Sequence, residues 1–180
     1  MLKPSLQGEL VRLRPIAARD ADALWEIDSD PVGRRVTGRS VMHTRALVEA
    51  WCESVSDQDG RIDLAVTAGD SDECLGEIVL SEIDEARGNA VLRLVMRPGS
   101  RGRGLGSEAI GLVLELAFDG LGLHRVGLDV LAINPRAQAL YEGMGFVVEG
   151  RLREAYRVDD RFSDAIVMGI LEEEYRALAE

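Results

Sequence analysis

The sequence holds little that could cross-link it, anchor it or bind a metal. Cys52 and Cys74 are its only cysteines in 180 residues, and they stand in no CxxC or other metal-ligand spacing. That argues against a disulfide scaffold and for reduced core thiols in a cytoplasmic protein. The two histidines, His43 and His124, have no partner pattern, so no metal is expected. No apolar run approaches the ~18 residues that mark a membrane span. The first residues also lack the basic-then-apolar pattern of a signal segment, so no membrane association is expected. Basic residues are the minority, 21 against 32 acidic, for a net charge of −11. This balance argues against nucleic acid, which needs a basic face, and mildly favours cationic substrates such as amines. Solvated acidic surface remains the ordinary use of most of these charges. No repeat, low-complexity segment or linker divides the chain. With 46% hydrophobic residues, 1–180 reads as one α/β domain large enough to bury its own core.

What the chain does have is a glycine-rich stretch, Arg101-Gly102-Arg103-Gly104-Leu105-Gly106, running into Ser107 and Glu108. Ahead of it lies the β-prone run Val91–Met96. Behind it Ile110, Val113, Leu114 and Ala117 recur at helical spacing. The glycines thus stand at a helix N-terminus, where backbone N–H groups lack intrahelical partners and the dipole is positive. With Arg101 and Arg103 as mobile charges, this describes a diphosphate cradle. No Gly-Lys-Ser/Thr triplet closes a Walker loop, and the spacing is G-x-G-x-G, not the dinucleotide G-x-G-x-x-G. Taken alone, the stretch could equally be a flexible strand-to-helix turn.

The pattern Arg101-x-x-Gly104-x-Gly106 resembles the acyl-CoA pyrophosphate loop of the GCN5-related N-acetyltransferase (GNAT) superfamily. About thirty residues on, Asn134-Pro135-Arg136-Ala137-Gln138-Ala139-Leu140-Tyr141-Glu142-Gly143-Met144-Gly145-Phe146 resembles that superfamily's second signature, Asn-x-x-Ala-x-x-Leu-Tyr-x-x-x-Gly-Phe. The opening Val-Arg-Leu-Arg-Pro and the closing run from Glu149 to Ile166 are similar to the branch holding ribosomal-protein N-terminal and bacterial spermidine acetyltransferases. The resemblance implies a mixed sheet of about seven strands flanked by about four helices.

The elements follow in that order. Leu10–Arg14 reads as a strand, then a helix capped by Asp20 runs to about Asp28. Pro31–Met42 reads as irregular, and a second helix holds Leu47, Val48, Trp51 and Val55. Strands are expected near Ile62–Thr67, Leu75–Ile83, Val91–Met96 and Arg125–Leu131. Asn134-Pro135 opens the last helix. Phe146–Glu149 starts a strand, and Leu152–Val158 with Ala165–Leu171 form a terminal hairpin.

The resemblance also implies roles. Backbone N–H groups of Arg101, Gly102, Arg103, Gly104, Leu105 and Gly106, with Ser107, would take the pyrophosphate of acetyl-CoA. The backbone of Leu94, Val95 and Met96 would hold the pantetheine arm, although these side chains can equally be core. Asn134 would contact the arm, and it also reads as a plain N-cap. Tyr141 would protonate the departing thiolate, a phenol with a pKa of about 10 being suited to that; a core-edge tyrosine is its other reading. For the base, Glu77, Glu82 and Asp84 lie on the right strand. Glu82 is preferred because Glu82-Ile83 matches a pair in the spermidine branch, against the plain reading of a solvated strand-end carboxylate. The basic stretch Arg34-Arg35-x-x-x-Arg39 departs from the acidic loop of the polyamine branch. It suits an amine that also bears an anion, or else pairs with the protein's own acidic surface.

The expectation is an acetyl-CoA-dependent N-acetyltransferase acting on a small-molecule amine or protein N-terminus by direct attack in a ternary complex. Polyamine acetylation is the alternative, and a CoA-binding regulator the non-enzymatic one. Homodimerisation is left open.

Overall fold

Residues 3–39 and 41–178 are described by the computed structural model. Its centre is three consecutive strands, β3 (Ile62–Ala68), β4 (Gly76–Asp84) and β5 (Asn89–Met96), paired antiparallel. In β3 the odd and even positions are both buried, because each face of the sheet is covered. Ile62, Leu64 and Val66 join one apolar cluster and Ala65 joins another. The first cluster lies under α4 (Leu105–Glu115) and α5 (Pro135–Gly143), with Ala109, Ile110, Val113 and Leu114 as the buried stripe of α4. The second lies under α1 (Ala21–Ser29) and α3 (Arg45–Ser54), around Leu24, Ile27, Val48 and Cys52.

Further strands extend the sheet on both sides. β1 (Leu6–Gln7) and β2 (Val11–Pro15) precede β3, while β6 (Arg125–Leu131), β8 (Arg161–Leu171) and β7 (Val147–Val158) follow β5. The order is β1-β2-β3-β4-β5-β6-β8-β7, and β5 with β6 is its one parallel pair among the described residues. That pair is short. Asn89–Arg125, Ala90–Val126 and Val91–Gly127 are in register, and then the two strands part.

Several local expectations change. Among the described residues the sheet has eight strands where about seven were expected, because Leu6–Gln7 adds an edge. Among the described residues there are six α-helices where about four were expected. Pro31–Thr37 forms α2, not an irregular stretch; Asp30 accepts from Val32 and Gly33 N–H, Pro31 takes the first turn, and Gly38 ends it. Glu172–Ala177 forms α6 behind β8. Asp20 does not cap α1; its buried carboxylate accepts from Arg14 at 2.7 and 2.8 Å and from the Ala17 N–H at 2.9 Å. Val147–Glu149 and Leu152–Val158 belong to one strand, β7, which starts one residue after Phe146 and whose bulges fall between Val148 and Gly150 and between Leu152 and Tyr156. Among the described residues no helix is long and apolar enough to cross a membrane.

Candidate active site

The parting of β5 from β6 leaves Leu94, Val95 and Met96 with β4 on one side and no strand on the other. Their side chains serve the core, as strand alternation requires: Leu94 and Met96 pack in the α4 cluster, Val95 in the α1/α3 cluster. Their backbone faces the gap. The Met96 carbonyl accepts from Arg101 Nε at 3.1 Å, and the Leu94 backbone hydrogen-bonds the Tyr141 hydroxyl.

Gly102 and Gly104 lie just beyond, with φ of 78° and 79°, a left-handed backbone that other residues adopt only under strain. They turn the chain so that α4 begins at Leu105 with no side-chain cap, leaving first-turn N–H groups as free donors. Neighbouring side-chain ends crowd two of these glycines. A Cβ on Gly102 would stand 2.9 Å from an Arg136 nitrogen, and one on Gly106 3.1 Å from a Leu94 methyl. Gly102, Arg103 and Gly104 are exposed, while Leu105 is buried as the first core residue of α4. Ser107 is half-buried in that same first turn. Glu108 pins the turn in place, accepting from the N–H groups of Glu9, Leu10 and Val11 at 2.8, 2.8 and 2.6 Å. The fit to a diphosphate is therefore good: open donors, a positive dipole end, and cations alongside.

One expected cation is differently employed. Arg101 is not mobile, because it bridges the Met96 carbonyl and Asp30 (2.8 Å), the cap of α2. Arg103 remains exposed beside the loop, and Arg136, an unspecified position of the second signature, reaches Gly102 from α5. Asn134 both caps α5, accepting from Ala137 N–H at 3.2 Å, and donates to the Val36 carbonyl at 3.3 Å. Arg101 and Asn134 thus tie α2 to both edges of the gap.

Tyr141 enters from the α5 side. It is 6% exposed and set edge-on to Phe146, with ring centroids 5.5 Å apart. Burial pushes its hydroxyl up to about 12, opposed by the hydrogen bond from Leu94. This corrects the expectation of an ordinary phenol.

On the opposite face, Glu77 pairs in register with Val95, one residue from Leu94. Glu77 is 5% exposed, and burial pushes its carboxyl up to about 7. Asp63 and Asp28 reinforce the shift, and Arg39 and Arg61 oppose it. It meets Arg93 at 3.0 Å and Arg39 at 3.8 Å. Glu82, the preferred sequence candidate, is not brought here. It is exposed on a bulge with φ of 52°, beyond Ser81 and Val91, where β5 is still joined to β6. Asp84 accepts from the Arg87 N–H in the following turn.

Glu77 and Arg93 form the floor of a cavity of about 640 Å³ between the sheet, α1 and α3. Leu24, Ile27, Val48 and Trp51 make its apolar wall, and Asp28, Arg39 and His43 its polar rim. Asp28 holds His43 through its backbone N–H (2.8 Å) and ring Nδ1 (3.2 Å). Arg39 also lines a recess of about 420 Å³ with Arg34, Arg35, Arg157 and Asp159. His124 sits in a turn, its N–H on the Gly88 carbonyl. Among the described residues no three His, Cys, Asp or Glu side chains gather as a metal site.

Residues 11–147 match the acetyltransferase (GNAT) domain family. A spermidine N(1)-acetyltransferase of Vibrio cholerae is 35% identical over 101 residues, 56% of this chain and 58% of that protein, so this match spans little more than half of it. That of Escherichia coli K12 is 26% identical across 93% of this chain and 89% of its own. The crystal structure of the V. cholerae spermidine N-acetyltransferase with CoA and spermine superposes with a TM-score of 0.84 at 25% identity, covering 92% of this chain and 98% of that one. The chain belongs to the GNAT family as an acetyl-CoA-dependent N-acetyltransferase.

Proposed function

We propose that the gap between β5 and β6 takes the pantetheine arm, and that acetyl transfer occurs there in a ternary complex with a primary amine held in the 640 Å³ cavity. One observation carries this reading. Glu77 and Tyr141 converge from opposite faces on adjacent residues, Val95 and Leu94, at the point where the strands part. Acetyl-CoA supplies an activated acyl group. The loop 101–107, with Arg136, holds its diphosphate by backbone donors and charge. The open backbone at Leu94–Met96 and Asn134 guide the arm.

Glu77 takes one proton from the ammonium and passes it to solvent; a carboxyl near 7 suits that task at neutral pH. The freed amine forms the C–N bond as the C–S bond breaks. Tyr141 donates a hydrogen bond to the departing sulfur, and the thiolate takes its proton from solvent, which has received those lost from the nitrogen. Full transfer from a phenol near 12 to a thiolate whose conjugate acid is near about 8.5 is uphill, so the hydrogen bond that stabilises the developing thiolate is the main contribution. Glu77 takes the place of Glu82 as proposed base on the strength of its register with Val95.

A covalent acetyl-enzyme is disfavoured. Cys52 and Cys74 are buried, and burial pushes both thiols up to about 12, far from a reactive thiolate. Free buried thiols also suit a reducing cytoplasm. Initial rates with acetyl-CoA and amine varied together should give intersecting double-reciprocal lines. Parallel lines with an acetylated protein in the mass spectrum would overturn the ternary mechanism.

The relatives' names favour a polyamine acceptor. The cavity's charges do not, since Asp28 and Glu77 share its lining with Arg39, Arg61 and Arg93.

A further inference from the structure

Charge, surface and slack in the acceptor cavity select among amines. A polyamine chain carries several positive charges and needs an excess of carboxylates. Here three guanidiniums line the cavity against two carboxylates, and adding Asp63, which holds Arg61 at 2.6 and 2.7 Å, only brings the set to balance. A second ammonium would find no unpaired anion. The wall is apolar, with Val48 and Trp51 inside and Leu47 and Val41 exposed at the mouth. An acceptor therefore gains by bringing an apolar body. The volume falls within the range of about 300–1,000 Å³ for small-molecule sites.

The arginines are not equally engaged. Arg101 meets Asp30 at 2.8 Å and Arg61 meets Asp63 at 2.6 Å, the lengths of good charge-assisted bonds. Arg39 meets Asp28 only at 3.4 Å and Glu77 at 3.8 Å. It stands between two carboxylates without closing on either, 26% exposed at the rim. Arg93 uses one nitrogen on Glu77 and is 41% exposed. A planar anion entering beside Glu77 would find guanidinium donors ready on both residues.

Resting on the acetyl-transfer reading above, we infer that the acceptor is a free α-amino acid with an apolar side chain. Its carboxylate is held by Arg39 and Arg93, its side chain lies against Leu47, Val48 and Trp51, and its α-amine is presented at Glu77. The arrangement also aids chemistry: a carboxylate that draws Arg39 toward itself removes a positive charge from beside Glu77 and leaves that base stronger when the amine arrives.

The test is thiol release from acetyl-CoA with L-phenylalanine, L-leucine and L-methionine, their carboxamides, and spermidine. The free acids are expected to exceed their amides in kcat/KM by at least about tenfold, and to exceed spermidine by more. Arg39→Gln should bring the acid-to-amide ratio toward one, mainly through KM for the acids. Amides or spermidine equal to or better than the acids would overturn this inference while leaving acetyl transfer intact, as would a ratio unmoved in Arg39→Gln. Failure of every one of these amines to raise thiol release above the amine-free background would overturn this inference and count against acetyl transfer as well.

Discussion

Tyr141→Phe is expected to lower kcat by about 10²-fold, toward the lower end of the ~10²–10⁴ range for a positioned proton donor. The lower end follows from the phenol itself. At about 12 it is too weak an acid to complete a proton transfer to sulfur unaided, so the loss is mainly that of one hydrogen bond to a developing charge. The ring stays, with its edge contact to Phe146, so acetyl-CoA affinity and thermal stability should change little. Single-turnover rates should carry the whole loss if product release is slow in the parent. A Phe variant with parental single-turnover rate would end the role of Tyr141. Because the hydroxyl titrates near 12, no descending limb from it is expected in an ordinary assay range.

The second large effect is at Glu77. Glu77→Gln should reduce kcat by about 10²–10³-fold and remove an ascending limb centred near pH 7 in the parent's kcat profile. Stability separates this from a structural role. The folded carboxyl titrates near 7 and the unfolded one near 4.5, so between those values the folded state binds more protons. The parent therefore loses stability as pH rises through that window. The Gln variant lacks this dependence, so its Tm relative to the parent should rise from pH 4.5 to pH 7.5. A parental pH–rate profile in the variant would remove Glu77 from the mechanism whatever the Tm does.

The strand–loop–helix around Gly102 and Gly104 was readable because its signals are local: β-prone run, left-handed glycines, then a helical stripe. Asn134-Pro135 was readable as a helix start for the same reason. Helix α2 carried such signals too, Asp30-Pro31 at its start and Gly38 at its end. With only seven residues and no apolar stripe, periodicity was silent about it. Asp20 had the right type and place for a cap, but Arg14, six residues earlier, took its carboxylate into a buried pair.

The base shows the limit most clearly. Glu77 and Glu82 lie on the same strand, and the resemblance to the spermidine branch favours Glu82. What separates them is that Glu77 aligns with Val95 and Ser81 with Val91, while β5 and β6 part after Val91. Register is a property of two strands, and no single segment carries it. The same holds for Arg101, whose partner Asp30 lies in a distant helix cap, and for the cavity, whose wall and floor come from α1, α3, β4 and β5.

The central claim is that the glycine-lined turn before α4 is a diphosphate site and the gap beside it a pantetheine channel. Titration calorimetry of the unaltered protein with CoA, dephospho-CoA and pantetheine tests it without any substitution. Dephospho-CoA keeps the diphosphate and should bind within about tenfold of CoA, whereas pantetheine, which lacks it, should bind at least about 100-fold more weakly. Pantetheine binding as tightly as CoA would contradict the account.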